Sequence, residues 1–133
     1  MKTKNEILTD VISVINSTPI LALNGDIYKK IRKTDSKLED CVLNVIPGVI
    51  GKFIQDGALY VKIFYNDISI DNSFYENTLR SQYMETLLYD LSESLLKNNT
   101  YSFDVMSRDI STESVEEIHQ HFAILKINFK LLK

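Results

Sequence analysis

Residues 58–65 limit the possible folds more than any other part of the chain, because their side chains sort into two faces with a period of two. In an extended chain, one face would carry Leu59, Val61, Ile63 and Tyr65, and the other would carry Tyr60, Lys62, Phe64 and Asn66. This period of two is typical of a β-strand. The run therefore predicts a strand in a layered fold, in which other elements cover at least one of its faces.

Two segments have the helical period instead. The first begins at a capping box formed by Thr3 and Glu6, and its apolar stripe consists of Ile7, Leu8, Val11, Ile12 and Ile15. The second begins at about Ser73 or Glu76 and ends at Leu96, with a stripe made of Leu79, Tyr83, Leu87, Leu88, Leu91 and Leu95. A short amphipathic helix is not stable alone, so we expect the stripes to pack on the sheet.

The remaining segments complete the predicted element order. Strands are expected near residues 27–32, 39–46, 101–105 and 119–131, with a polar connection at 66–77 and an acidic turn at 110–118. The order α-β-β-β-α-β-β predicts an α+β fold, with a mainly antiparallel sheet and two helices packed on one face. The length and the absence of a linker predict one domain, residues 1–133.

The sheet face away from the helices is predicted to be rather apolar. It would carry Tyr60 and Phe64 from one strand, and Phe122 and Ile124 from the last strand. A sheet face without helices is normally wetter than this. We therefore expect another subunit to cover it.

Cysteine usage and hydropathy exclude several classes of protein. Cys41 is the only cysteine, which rules out an intrachain disulfide and a zinc site built from cysteines, and we expect it to be buried. Residues 1–6 are not followed by the apolar core of a signal peptide, and no run approaches the roughly 20 apolar residues of a membrane span. We therefore expect a protein made in a cytoplasm, without membrane contact.

Common catalytic and phosphate-binding signatures are missing, since the sequence has no glycine-rich phosphate loop, no Gly-x-Ser-x-Gly elbow and no Cys-x-x-Cys pair. His119 and His121 have the i, i+2 spacing that would place both on one strand face. There they would be able to share a metal with Glu116 or Glu117. Exposed histidines at a frayed strand start are the favoured interpretation.

A small hydrolase or nuclease built on Glu39, Asp40 and His121 is a further hypothesis. Paired carboxylates can bind Mg²⁺. Adjacent strand residues point to opposite faces, however, so Glu39 and Asp40 cannot share one ion without a bulge. A solvated strand start explains them better, and the sequence predicts no enzyme, no metal and no cofactor.

Charged residues are concentrated in two segments of opposite sign, although the net charge is only −3. The basic segment, residues 29–37, contains one acid and five basic residues: Lys29, Lys30, Arg32, Lys33 and Lys37. The acidic segment, residues 104–117, contains one basic residue and five acids: Asp104, Asp109, Glu113, Glu116 and Glu117. Complementary patches can set the register between subunits, so we predict that both segments form subunit contacts.

Nucleic-acid binding is the main alternative for the basic segment. The strand at residues 28–33 would neutralise phosphates, with Tyr28 available to stack on a base. The chain as a whole is acidic, however, which is the wrong sign for an autonomous nucleic-acid-binding protein. Lysines on an edge strand also prevent aggregation between sheets.

Several stretches together resemble a known family. They are Gly25-Asp26-Ile27-Tyr28, then Arg32, Ser36, Glu39-Asp40, Val42 and Asn44, followed by Gly57, the run 61–68, the leucine-rich helix and His121-Phe122. Their pattern and order resemble the small tail-terminator or tail-completion proteins of tailed bacteriophages and prophages. Pro47-Gly48 and Gly51 depart from the plainer hairpin of that family.

The resemblance implies a non-enzymatic structural subunit of the virion, assembled in the cytoplasm of the bacterial host. Such proteins form homo-oligomeric rings, expected here to be hexamers or dodecamers, at the head–tail junction or the top of the tail. They cap the tail tube, join it to neck or connector proteins, and surround a channel through which DNA passes without sequence-specific binding. A cyclic ring uses heterologous interfaces, in which one patch meets a different patch on the neighbour.

Overall fold

Two long antiparallel strands, β3 (Ile54–Asn66) and β8 (Gln120–Leu132), form the centre of the fold. The computed structural model describes residues 2–51, 54–97, 101–103 and 108–132. The helices are α1 (Lys4–Ile15) and α2 (Thr78–Leu96). The other strands are β1 (Ile27–Lys29), β2 (Cys41–Ile50), β4 (Ile68–Ile70), β5 (Ser73–Tyr75), β6 (Tyr101–Phe103) and β7 (Asp109–Val115), and short 3-10 helices cover Pro19–Ala22 and Glu116–Ile118.

The main sheet has the strand order β1-β2-β3-β8, and both β6 and β7 pair with the outer edge of β8. β7 lies along residues 120–126 of β8, and β6 lies along residues 129–131. β1 is parallel to β2, and the other pairs in this sheet are antiparallel. The predicted α+β fold with a mainly antiparallel sheet is therefore confirmed.

Both helices lie on one face of this sheet, as predicted. The hydroxyl of Thr3 caps α1 by accepting a hydrogen bond from the N–H of Glu6. α1 packs against β2 and α2, and α2 packs against β3 and β8. The core between them contains Ile7, Leu8, Val11 and Ile15 from α1, Leu87, Leu88, Leu91 and Leu95 from α2, and Leu59, Val61, Ile63 and Tyr65 from β3.

The start of α2 differs from the predicted stripe. Leu79 is 79% exposed and Tyr83 is also exposed, whereas Ser81 and Met84 are buried. The side chain of Asn77 caps the helix by accepting a hydrogen bond from the N–H of Arg80. Because the buried stripe passes through positions 81 and 84, position 79 lies on another side of the helix.

Two predicted connections contain strands. Residues 66–77 hold the β4–β5 hairpin, and most of the predicted acidic turn at 110–118 is strand β7. The turn of the hairpin is Asp71-Asn72, and both residues have positive φ, a conformation that Asn and Asp tolerate.

Strand β7 was not predicted from the sequence, because an edge strand that pairs on one side only needs few apolar residues. In contrast, β1 is shorter than predicted, because Lys30 has a φ of 79° and ends it.

The face of the sheet away from the helices is partly covered by the chain itself. Phe64 and Phe122 are buried there in a second cluster with Val42 and Ile124. The guanidinium of Arg32 lies 3.9 Å from the centre of the Phe64 ring, so residues 30–40 fold back over this part of the face. Ile46, further along β2, is 51% exposed. For the part of this face around Ile46, the expectation that another subunit covers it stays a prediction.

Cys41 is buried, as predicted, and burial raises the pKa of its thiol to about 12. The thiol is therefore protonated at neutral pH, and the thiolate is the reactive form. We expect the native protein to react with an alkylating reagent at pH 8 only as fast as it opens, and to react fully in denaturant. Rapid stoichiometric labelling of the native protein, followed by mass spectrometry, would contradict this burial.

Candidate functional site

The basic segment follows β1 at one edge of the main sheet. Lys30, Lys33 and Lys37 are exposed there. Lys29 is also exposed, and its Nζ donates a hydrogen bond of 2.8 Å to Thr9 Oγ1 on α1. These four lysines therefore give this edge a positive surface.

Arg32, the fifth basic residue, is engaged within the chain. Its side chain is only 13% exposed, and its Nε lies 2.9 Å from Asp40 Oδ2. Nη1 donates to Gln120 Oε1 at 3.0 Å, and Nη2 donates to the carbonyl of Ser36 at 2.9 Å. Its charge is thus offset inside the fold, where it holds residues 32–40 against β8.

The carboxylates of Glu39 and Asp40 have separate structural partners. Asp40 is fully buried and accepts the N–H of Asp26 in addition to the bonds from Arg32. Glu39 accepts two hydrogen bonds of 2.6 Å from Arg80, and these bonds raise the pKa of the Arg80 guanidinium. The bonds from Arg80 tie Glu39, just after the basic segment, to α2. These separate partners leave the hydrolase hypothesis without an available pair of carboxylates at these positions.

The acidic segment lies at the opposite edge of the main sheet. Asp109 and Glu113 are exposed on β7, and Glu116 and Glu117 are exposed on the 3-10 helix that follows it. Asp104 lies outside the described residues. Since β1 and β7 are at opposite ends of the strand order, the two charged segments follow opposite edges of the sheet, although the side chains of Lys30 and Glu113 line one depression on the face between them.

The two histidines do not share a strand face. His119 precedes β8 with a φ of 53°, and its ring stacks on Phe74 at a centroid distance of 3.6 Å. His121 lies on β8 and is only partly exposed. The metal hypothesis for this pair is therefore wrong in its geometry, and so is the exposed position favoured for His121. In the described ranges, no group of three His, Cys, Asp or Glu side chains is arranged to hold a metal.

His121 instead joins the two ends of the β4–β5 hairpin. Its Nδ1 lies 2.6 Å from Oδ1 of Asp67, the residue before β4, and its Nε2 lies 3.3 Å from Oε2 of Glu76, the residue after β5. Burial raises the pKa of Tyr65 to about 12, so its neutral phenol donates to Glu76. These contacts fix the hairpin to the central strands.

The hairpin itself, residues 68–75, is an exposed arm, called here the hairpin arm. Its large apolar side chains are between 42% and 55% exposed, and they are Ile68, Ile70, Phe74 and Tyr75. Exposed apolar groups in one contiguous element are typical of a protein–protein contact. This surface was not predicted from the sequence, although Asp71-Asn72 between apolar residues is a turn signal, because both residue types tolerate positive φ.

A groove runs along the sheet face away from the helices. It consists of two adjoining depressions that share Ile46, and we call it the open-face groove. Lys30, Lys62 and Lys126 line the first depression, and Lys130 lines the second. Lys62, Lys126 and Lys130 belong to neither charged segment, and Lys62 is far from the other two in sequence. Only the pairing register of β3 and β8 brings them to one face.

Comparison with known proteins adds no relative: no protein-family model matches the chain, and no curated protein matches it. None of the helices in the described part of the chain has both the length and the apolar character that a membrane crossing requires.

Proposed function

We propose that this chain is a structural subunit of a phage head–tail connection. It would form a ring as a tail-terminator, tail-completion or neck protein, cap the tail tube and join it to the head. The resemblance of the sequence pattern suggests this assembly. The placement of opposite charges at opposite edges of the sheet is the structural observation that carries the proposal.

A closed ring requires each subunit to present two different, complementary patches. The edge at β1 carries four exposed lysines, and the edge at β7 carries four exposed acids in the described residues. Opposite edges of one subunit can meet their counterparts on two neighbours at the same time. Such complementarity steers association and sets register.

The hairpin arm supports the same class of function. An apolar surface held in position by His121 loses little conformational freedom when it binds, which favours affinity. Neck proteins or the tail tube are the partners expected for surfaces that the ring itself does not bury.

Native mass spectrometry tests the proposal. We expect a ring of six or twelve copies at low salt, and we expect smaller species at high salt because salt screens contacts between exposed charges. Size-exclusion chromatography over a range of concentrations gives an independent measurement. A monomer under all conditions, with and without tail and neck proteins, would contradict the proposal.

A nucleic-acid-binding accessory protein remains the second candidate, and Tyr60 beside three lysines in the open-face groove favours it. Residues 28–33, the predicted nucleic-acid contact, offer one cation fewer than predicted, because Arg32 is paired with Asp40 within the chain. A gel shift that is sensitive to salt and is abolished by Lys30→Glu with Lys62→Glu would support this candidate. Arg32 should be left intact in that variant, since its loss would disturb the fold.

A further inference from the structure

We propose that the hairpin arm of one copy inserts into the open-face groove of the next copy. This inference rests on the proposed ring and names the segment that occupies the groove. Two surfaces of the same chain, one projecting and one concave, would then cover each other. The arm contains no residue of the two charged segments predicted from the sequence, and the groove contains one from each, Lys30 and Glu113.

A chain cannot insert its hairpin arm into the far part of its own groove. The arm follows Asn66, whereas the second depression lies beside Gly57 on the same strand. Nine residues of extended strand separate these positions, a distance of roughly 30 Å. The strands of the arm have three residues each and reach only about 10 Å. An arm that fills this part of the groove must therefore come from another copy.

The apolar surfaces of the two elements are complementary. The arm presents Ile68, Ile70 and Tyr75, which are all exposed. The groove presents Ile46, which is also exposed, with Ala58 and Tyr60 on the adjacent strand. Removing both apolar surfaces from water would stabilise the contact.

The charges also match. Asp71 at the tip is the only acidic or basic side chain of the arm, and its φ of 49° places it in the tight turn. The groove carries Lys30, Lys62, Lys126 and Lys130 along its length. Its acids are fewer: Glu113, Asp56 and the nearby Asp109, which pairs with Lys126 in the sheet register. An anionic tip therefore fits the excess of lysines.

One polar group in the groove lacks a partner. Asp56 Oδ1 is buried and makes no hydrogen bond within the described part of the chain. Such a group is costly unless a donor reaches it. Asn72 and Ser73, next to the tip of the arm, carry an amide and a hydroxyl that can donate. Rotation about the last torsion of an aspartate is broad, so the carboxylate can turn towards them.

Disulfide cross-linking tests the contact directly. Ser73→Cys places a thiol near the tip of the arm, and Asn128→Cys places one in the second depression, while Cys41 is buried and does not interfere. We expect a chain with both substitutions to give a ladder of covalent multimers on a denaturing gel, ending at the ring size. Ser73→Cys combined with Asp90→Cys, an exposed position on α2, is the control and should give no ladder.

The outcomes separate this inference from the proposed function. If the wild-type protein forms a ring but the Ser73–Asn128 pair gives no ladder beyond the control, the arm does not occupy the groove and the ring proposal stands. If the protein is monomeric and no ladder forms, both proposals fail. If a single-stranded oligonucleotide protects Asn128→Cys from alkylation and no ladder forms, the groove binds nucleic acid and the inference is overturned.

A charge exchange provides the second measurement. Asp71→Lys and Lys126→Asp should each weaken the ring at least tenfold in association constant. A mixture of the two variants should restore an alternating ring, because the lysine tip of the Asp71→Lys copy then meets the aspartate of the Lys126→Asp groove, and the native Asp71 tip of the Lys126→Asp copy meets the native Lys126 of its other neighbour. Failure of the mixture to assemble, while the wild-type ring forms, would count against the docking.

Discussion

Replacement of Arg32 by Met is expected to lower the free energy of unfolding by about 3–5 kcal/mol, the range for breaking a buried ion pair from one side. The substitution leaves the fully buried Asp40 without its main partner. It also removes the hydrogen bond to Gln120 and the cation–π contact with Phe64. The change in the free energy of unfolding is measured by urea unfolding, followed by circular dichroism at one fixed protein concentration.

Lys33→Met is the matched control for this substitution. It removes the same charge from the adjacent exposed residue and should alter stability by no more than about 0.5 kcal/mol. Arg32→Met combined with Asp40→Leu should regain part of the loss, because the unpaired buried carboxylate is then absent. A stability loss below 1 kcal/mol for Arg32→Met would show that the network does not hold residues 32–40.

Substitution of His121 by Leu is expected to release the hairpin arm and to cost about 1–3 kcal/mol, because it leaves a buried acceptor without its donor. The side chain of Asp67 is 8% exposed, and His121 is its neighbour at 2.6 Å. Amide hydrogen exchange in residues 68–75 should accelerate more than exchange in β3. Assembly of the proposed ring should also require a higher protein concentration, since the arm must then be ordered on binding.

The double variant Asp67→Leu with His121→Leu is the companion measurement. It should be more stable than His121→Leu alone, because both polar partners are replaced by apolar groups. Unchanged exchange in residues 68–75 of the His121→Leu protein would contradict the role of His121 as the link between the two ends of the arm. In that case the stack of His119 on Phe74 would have to hold the hairpin.

The surface charges available for the proposed assembly differ from those of the two charged segments. Arg32 belongs to the basic segment in sequence, but its partner is Asp40 rather than another subunit. Lys62, Lys126 and Lys130 belong to neither segment, yet they share one groove with Lys30. Surface charge in this protein therefore has to be assigned from the sheet face on which each residue lies.

Local periodicity was enough to predict several elements. The capping box at Thr3 predicted the start of α1, and alternation predicted β3 and most of β8 with the correct buried face. The α+β class followed from the order of these elements. These features depend on residues within a few positions of one another, which is why the sequence by itself determined them.

Other features depended on which distant residues meet. The link from His121 to Asp67 spans 54 positions, and the bond from Arg32 to Gln120 spans 88. No local pattern encodes such pairs, because they follow from the register of β3 with β8 and from the fold-back of residues 30–40. The sequence alone determined the helices, the central strands and the fold class, since periodicity is a local property. Only the tertiary structure decided the roles of Arg32 and His121, and only it revealed the exposed arm and the groove. The physical reason is that long-range pairing decides which side chains are buried and which remain at the surface.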